Sequence, residues 1–175
     1  MFGRRADMVG LRPFIRGLQP QSWNGLGAIG VERIGMRGTI KWAGDAMFVA
    51  ESGSGHALVI DGPPDHGGRN MGVRPMEMIL LGLGGCASFD VMSILKKARQ
   101  DIVSCRADLE AERAEGVPSP FTKIHLKFVV NGRNLKESQV ERAVNLSSEK
   151  YCSASIMLRA AGVEITHSYE VIEVA

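Results

Sequence analysis

Three short apolar runs, at residues 36–42, 47–50 and 57–60, open the patterned part of the chain. The breaks between them, Ala43-Gly44-Asp45 and Gly53-Ser54-Gly55, are turn chemistry, so the runs predict three short strands. Residues 61–74 contain Gly62, Pro63, Pro64, Gly67, Gly68 and Gly72 and predict a mobile loop. Pro75 suits the first turn of a helix, where its missing N–H costs nothing. From residue 76 to 95 apolar residues occupy nearly every face. Such a helix is buried all round, inside the fold or in a subunit interface. Gly82, Gly84 and Gly85 each lower helix propensity by roughly 1 kcal/mol against alanine, which predicts a tight contact with another helix. The uncharged run from residue 78 to 89 is shorter than the roughly 20 residues of a membrane span, so no membrane segment is expected.

The period then changes to two. Val103, Cys105, Ala107, Leu109 and Ala111 alternate with polar residues, and Ile124, Leu126, Phe128 and Val130 do the same. Both predict strands with one wet face. Asn134 with Glu137 three residues on has the spacing of a capping box, opening a helix whose stripe is Val140, Ala143, Val144, Ser147 and Tyr151. A second helical segment covers 152–161 and stops at Gly162, and 165–174 predict a last strand. The order β-β-β-α-β-β-α-α-β makes the class α+β.

Charge changes the reading of the first 35 residues. The net +2 divides into +3 for residues 1–35 and −1 for residues 36–175. The leading stretch has seven glycines, two prolines and no sustained apolar period, so residues 1–35 are expected to form a flexible extension. A true start at Met36, an arm docked in an assembly and a weak transit signal are the other readings. The near-neutral body shows no basic–aromatic stripe, which disfavours nucleic acid as a partner.

The chemistry rests on few residues. Three cysteines are too few for a disulfide scaffold and suit a reducing, cytoplasmic compartment. Cys86 lies inside the apolar helix. Cys152 lies where one helical segment gives way to the next, and helix N-termini lower thiol pKa values. Taken alone, each cysteine reads first as a small core side chain, and Cys105 on its strand face more so. His125 reads as surface and His167 as a satisfied core residue. No cysteine or histidine falls two to five residues from another, so no metal is expected, and no nucleotide-cofactor motif is present.

The two cysteine segments together resemble a family. Pro75-Met76-Glu77-Met78 leading to Gly84-Gly85-Cys86, then Tyr151-Cys152, is similar to the OsmC/Ohr family. Residues 147–152, Asp90-Val91 with Ser93-Ile94-Leu95, and 165–170 (Ile-Thr-His-Ser-Tyr-Glu) resemble its YhfA-like branch. The resemblance covers residues 36–175. It implies an OsmC-like fold, antiparallel sheets wrapped around a long central helix, in an intertwined homodimer. It also implies a hydroperoxide reductase without a cofactor. Cys86 would attack a small-molecule hydroperoxide, Cys152 would resolve the sulfenic acid as a disulfide, and an external dithiol would reduce it. Peroxidase members activate the thiol with an arginine of the first hairpin, held by a glutamate ten residues before the first cysteine. Here residues 38–60 contain no arginine, Met76 holds the glutamate position, and Ser153 follows Cys152 where proline is usual. Glu77, Arg74 and Arg69 are the nearest replacements for that shell. The alternative reading is a catalytically weak dimer that binds a small apolar or thiol-bearing ligand between subunits, with Met71, Met76, Met78 and Met92 lining the pocket.

Overall fold

The computed structural model describes residues 35–174; the expectations for the leading extension fall almost wholly outside them. The described part contains two three-stranded sheets and the helices between and beside their strands. Strands β1 (Gly38–Trp42), β2 (Phe48–Ser52) and β3 (Ala57–Ile60) form an antiparallel meander. Helix α1 (Pro75–Lys97) leads to β4 (Asp101–Arg113) and β5 (Phe121–Arg133), then to α2 (Glu137–Leu146), α3 (Ser153–Ala160) and β6 (Glu164–Glu173). Strand β5 is the middle strand of the second sheet, antiparallel to β4 and parallel to β6. The parallel pair requires a long crossover, and α2 and α3 provide it.

The core lies between this second sheet and the helices. Ile124, Leu126, Phe128 and Val130 of β5 are buried against Leu83, Ala87, Val91 and Leu95 of α1 and Val140, Ala143 and Val144 of α2. The α1 residues recur every four positions and make one stripe. The opposite face of α1 is uncovered at Phe89, which is 74% exposed, and Ile79 and Leu81 nearer its start are also open to solvent. A helix apolar all round is thus half buried by its own chain. At 23 residues α1 has the length and apolarity of a membrane span, yet its inner stripe packs on the β5 sheet. The expected helix–helix contact at the glycines is absent among the described residues. A Cβ on Gly84 would lie 2.8 Å from a Leu109 methyl of β4, and Gly82 and Gly85 face open space.

Four local expectations are corrected. Val103 is exposed because a bulge between Ile102 and Ser104 turns Ile102 inward instead. Asn134 is not a cap: it holds a left-handed backbone (φ 50°), its N–H donates to Glu173 Oε1 at 2.7 Å, and Lys136 caps α2. Tyr151 is exposed because residues 147–151 wind as one π-helical turn, marked by the Cys152 N–H to Ser147 C=O bond at 2.9 Å. The loop after β3 is braced, since the Asp61 carboxylate accepts the N–H groups of Gly62, Arg69 and Met71 at 2.7, 3.0 and 3.1 Å. Those bonds, Met71's foremost, hold the Asp61 carboxyl below its usual range.

Candidate active site: a thiol pair with a carboxylate

Helix α1 carries Cys86 and, one turn later, Asp90 on the same face. The π-helical turn and the start of α3 bring Cys152 to that face from a position 66 residues away in the chain. The two Sγ atoms and a carboxylate oxygen of Asp90 all lie within 4.8 Å of one another. Both thiols are free. Cys86 and Asp90 are half-buried, while Cys152 is fully buried.

The junction is tied to α1 by hydrogen bonds. Ser147 is fully buried, and its hydroxyl donates to the Ala87 carbonyl at 2.9 Å, next to Cys86. Arg159 of α3 donates to the Ser148 carbonyl and hydroxyl and to the Ile165 carbonyl, each at 3.0 Å. The extra residue of the π turn re-aims the chain, so Cys152 caps α3 with an extended backbone and faces Cys86. Such turns recur at functional sites.

Burial pushes the Cys152 thiol up, the neighbouring Cys86 adds to the rise, and Ser155 opposes it. The Ser155 N–H donates to Cys152 Sγ at 3.4 Å. The Ser155 hydroxyl is buried beside the same sulfur and, like the N–H, favours its thiolate. Burial also raises the Asp90 carboxyl. No lysine or arginine among the described residues forms an ion pair with Asp90, although Lys97, Lys136 and Arg142 line the same cavity.

The remaining expected site residues lie elsewhere. Arg74 caps the start of α1: its N–H donates to Glu77 Oε2 at 2.9 Å, and its guanidinium stands 3.9 Å from the same carboxylate. With about 1.5 Å of rise per residue, Glu77 and Arg74 sit roughly 13 and 18 Å along the helix from Cys86. Arg69 pairs with Asp45 at 3.3 Å. Cys105 is half-buried on β4, its thiol raised by burial. His125 is a bridge rather than a surface residue, with its ring nitrogens 2.8 Å from Thr166 Oγ1 and 2.9 Å from Ser168 Oγ on β6. His167 contacts Asn145 Oδ1 at 2.8 Å through Nε2, while its buried Nδ1 is unpaired.

Asp90 is the residue that a search for cysteine and histidine spacings passes over. Its signal was a lone acid four residues after a cysteine in an otherwise apolar stretch. Beside it opens a cavity of about 660 Å³, lined by Phe89, Asp90, Lys97, Lys136, Arg142 and Tyr151 among others. The four methionines expected around a pocket do not line this one; Met78 lines a separate hollow of about 260 Å³ with Ala50 and Leu58.

Comparison with known proteins fits this architecture. A family model described as OsmC-like protein matches residues 66–168. Protein YhfA of Escherichia coli (strain K12) is 49% identical over 140 residues, covering 78% of this chain and 98% of the relative. A crystal structure of a hypothetical protein from Aquifex aeolicus VF5 superposes with a TM-score of 0.70 at 29% identity, covering 81% of this chain and 98% of that one. An organic hydroperoxide resistance protein OsmC from Legionella pneumophila shares the fold, with a TM-score of 0.60 at 17% identity over 78% of this chain and 96% of its own. The chain therefore belongs to the OsmC family, in its YhfA-like branch.

Proposed function

We propose that the protein is a thiol-dependent hydroperoxide reductase that uses Cys86 and Cys152 as a redox pair. The observation that carries the reading is the approach of the two sulfurs, within 4.8 Å across 66 residues of chain. Half-exposed Cys86 meets the peroxide. Its thiolate attacks the terminal oxygen and releases an alcohol, with one proton taken up: Cys–S⁻ + ROOH + H⁺ → Cys–SOH + ROH. Buried Cys152 remains a thiol until the sulfenic acid forms, then displaces water to give the disulfide. An external dithiol returns both thiols. Asp90 is placed to take the proton from Cys86 and pass it to the departing alkoxide.

The working unit in this reading is a homodimer in a reducing compartment. The bare outer face of α1 and the exposed β1–β3 meander, with Trp42 70% exposed, are the surfaces a second copy covers. Arg69, Arg74 and Glu77 would belong to the activating shell only as contributions from that second copy. The test is thiol counting on chelator-treated, reduced protein before and after one equivalent of cumene hydroperoxide. Two of three thiols should disappear, and Cys86→Ser should lose none. Unchanged counts, or equal loss in Cys86→Ser, would sink the proposal.

A second reading rests on the cavity beside Asp90. Phe89 and Tyr151 offer apolar surface and Lys97, Lys136 and Arg142 offer positive charge, which suits a small amphipathic ligand with an anionic end. Native mass spectrometry showing a co-purifying small molecule, together with absent peroxide turnover, would favour it.

A further inference from the structure

We propose that Cys86, Asp90 and Cys152 form a binding site for a thiophilic divalent cation, with zinc the best fit. This inference stands on the donor set and its geometry, independently of peroxide chemistry. Two thiol sulfurs and a carboxylate oxygen converge from two separate segments, all within 4.8 Å of one another. In a tetrahedral zinc site with Zn–S bonds of about 2.3 Å, two sulfurs stand about 3.8 Å apart. Closing the group around an ion therefore requires the sulfurs to approach by about 1 Å at most, and each sulfur and the carboxylate oxygen by about 1.3 Å at most. Three protein ligands leave a fourth position open, as in catalytic rather than structural zinc sites.

The surroundings match the demands of such an ion. Thiolate selects zinc or copper(I) over magnesium and calcium, which prefer all-oxygen shells. The Ser155 N–H already points at Cys152 Sγ at 3.4 Å, the kind of outer-shell donor that orients a ligating thiolate. The buried Ser155 hydroxyl lies beside the same sulfur. Spacing in the sequence hides the site, because only Cys86 and Asp90 are neighbours on one helix and Cys152 arrives through the π turn.

Metal and disulfide exclude each other at these sulfurs. Where the reductase reading also holds, one hydroperoxide would convert the two bound thiolates, with two protons, into disulfide, alcohol and water, and expel the ion. Occupancy would then shield the pair until peroxide or a chelator removes the metal.

The test is anaerobic titration of chelator-treated, reduced full-length protein with cobalt(II), followed by zinc. One cobalt per chain should bind with a near-ultraviolet sulfur-to-cobalt charge-transfer band that zinc abolishes. The band should vanish in Cys86→Ser and in Cys152→Ser, and Asp90→Asn should weaken binding about tenfold or more, since even outer-shell losses cost about that much. Alkylation of the unmutated protein guards against misfolded variants: zinc should slow iodoacetamide labelling of Cys86 and Cys152 and leave Cys105 unchanged. Absence of a charge-transfer band, a band that survives either cysteine substitution, or equal labelling with and without zinc would overturn the inference. Protein that consumes cumene hydroperoxide without binding cobalt loses the metal site and keeps the reductase reading. Protein that binds cobalt through thiolates without peroxide turnover does the reverse.

Discussion

Oxidising the thiol pair should stabilise the fold, and the structure sets the size of the effect. A Cys86–Cys152 bond closes a loop of about 67 residues, worth roughly 4 kcal/mol by chain entropy. Against this stands strain. The sulfurs must come from within 4.8 Å to about 2.04 Å, an approach of up to about 2.8 Å. The backbone at Cys86 is held in regular helix, with its neighbours Leu83 and Ala87 packed in the core. Cys152 can supply the movement, because it caps α3 with extended backbone between two helical segments. Allowing about 1–2 kcal/mol for that shift leaves a net gain of about 2–3 kcal/mol.

For about 140 folded residues the unfolding entropy is roughly 0.3 kcal/mol per kelvin, so the melting temperature should rise by about 7–10 °C. The assay is thermal unfolding of metal-free protein, oxidised with one equivalent of peroxide or held reduced, at one protomer concentration. Peptide mapping identifies the bond. Cys152→Ser should show no gain on oxidation. A mapped Cys86–Cys152 disulfide with an unchanged or lower melting temperature would refute the view that the sulfurs are poised. A bond to Cys105 would refute the pairing itself.

Three further outcomes are expected. Ser147→Ala removes the hydroxyl that ties the π turn to the Ala87 carbonyl; it should cost about 1 kcal/mol and slow disulfide formation, measured by denaturant unfolding and timed thiol counts. Burial holds the His167 imidazole below its usual pKa of 6.5, so the folded state favours the neutral ring. Its contribution is full above the unfolded pKa near 6.5 and is lost as pH falls toward the lower folded value, so His167→Gln should flatten stability against pH on the acid side. Phe89→Glu places a charge on the bare face of α1 and should shift sedimentation from a dimer to the 18.9 kDa monomer; a monomeric unmodified protein would contradict the assembly.

What was legible in the sequence followed regular periods. Period two found β5, whose Ile124, Leu126, Phe128 and Val130 are all buried, and the apolar run found α1 to within a turn. The failures fall where the backbone leaves its regular repeat. One bulged residue reversed Val103, since a single-residue slip flips a strand's faces. The π turn carried Tyr151 out of a stripe laid out at 100° per residue. Asn134 and Glu137 have capping-box spacing, but a left-handed backbone at Asn134 and the competing acceptor Glu173 remove it. The thiol pair could not be read from spacing, because 66 residues and two changes of element separate its members. Its proximity was expected from family resemblance alone, and the π turn supplies the physical route.

The electrostatics of the site bind the remaining pieces together. A nucleophilic thiolate needs positive charge or hydrogen-bond donors nearby. Within residues 38–60, where peroxidase members of the family place an arginine, the one lysine or arginine is Lys41, and that side chain is paired with Glu51 at 3.3 Å. Arg69 and Arg74 are engaged with Asp45 and Glu77. What the chain places against Cys86 and Cys152 is a third acid, Asp90. Desolvation acts on two of these groups in the same direction, toward their protonated forms. A site of this kind favours chemistry in which a proton leaves sulfur as a partner accepts it, or in which a cation arrives from outside. Proton relay through Asp90, an arginine from a second copy or a bound divalent ion would each support a thiolate there. Asp90→Asn separates them: it abolishes the first, leaves the second in place and weakens the third.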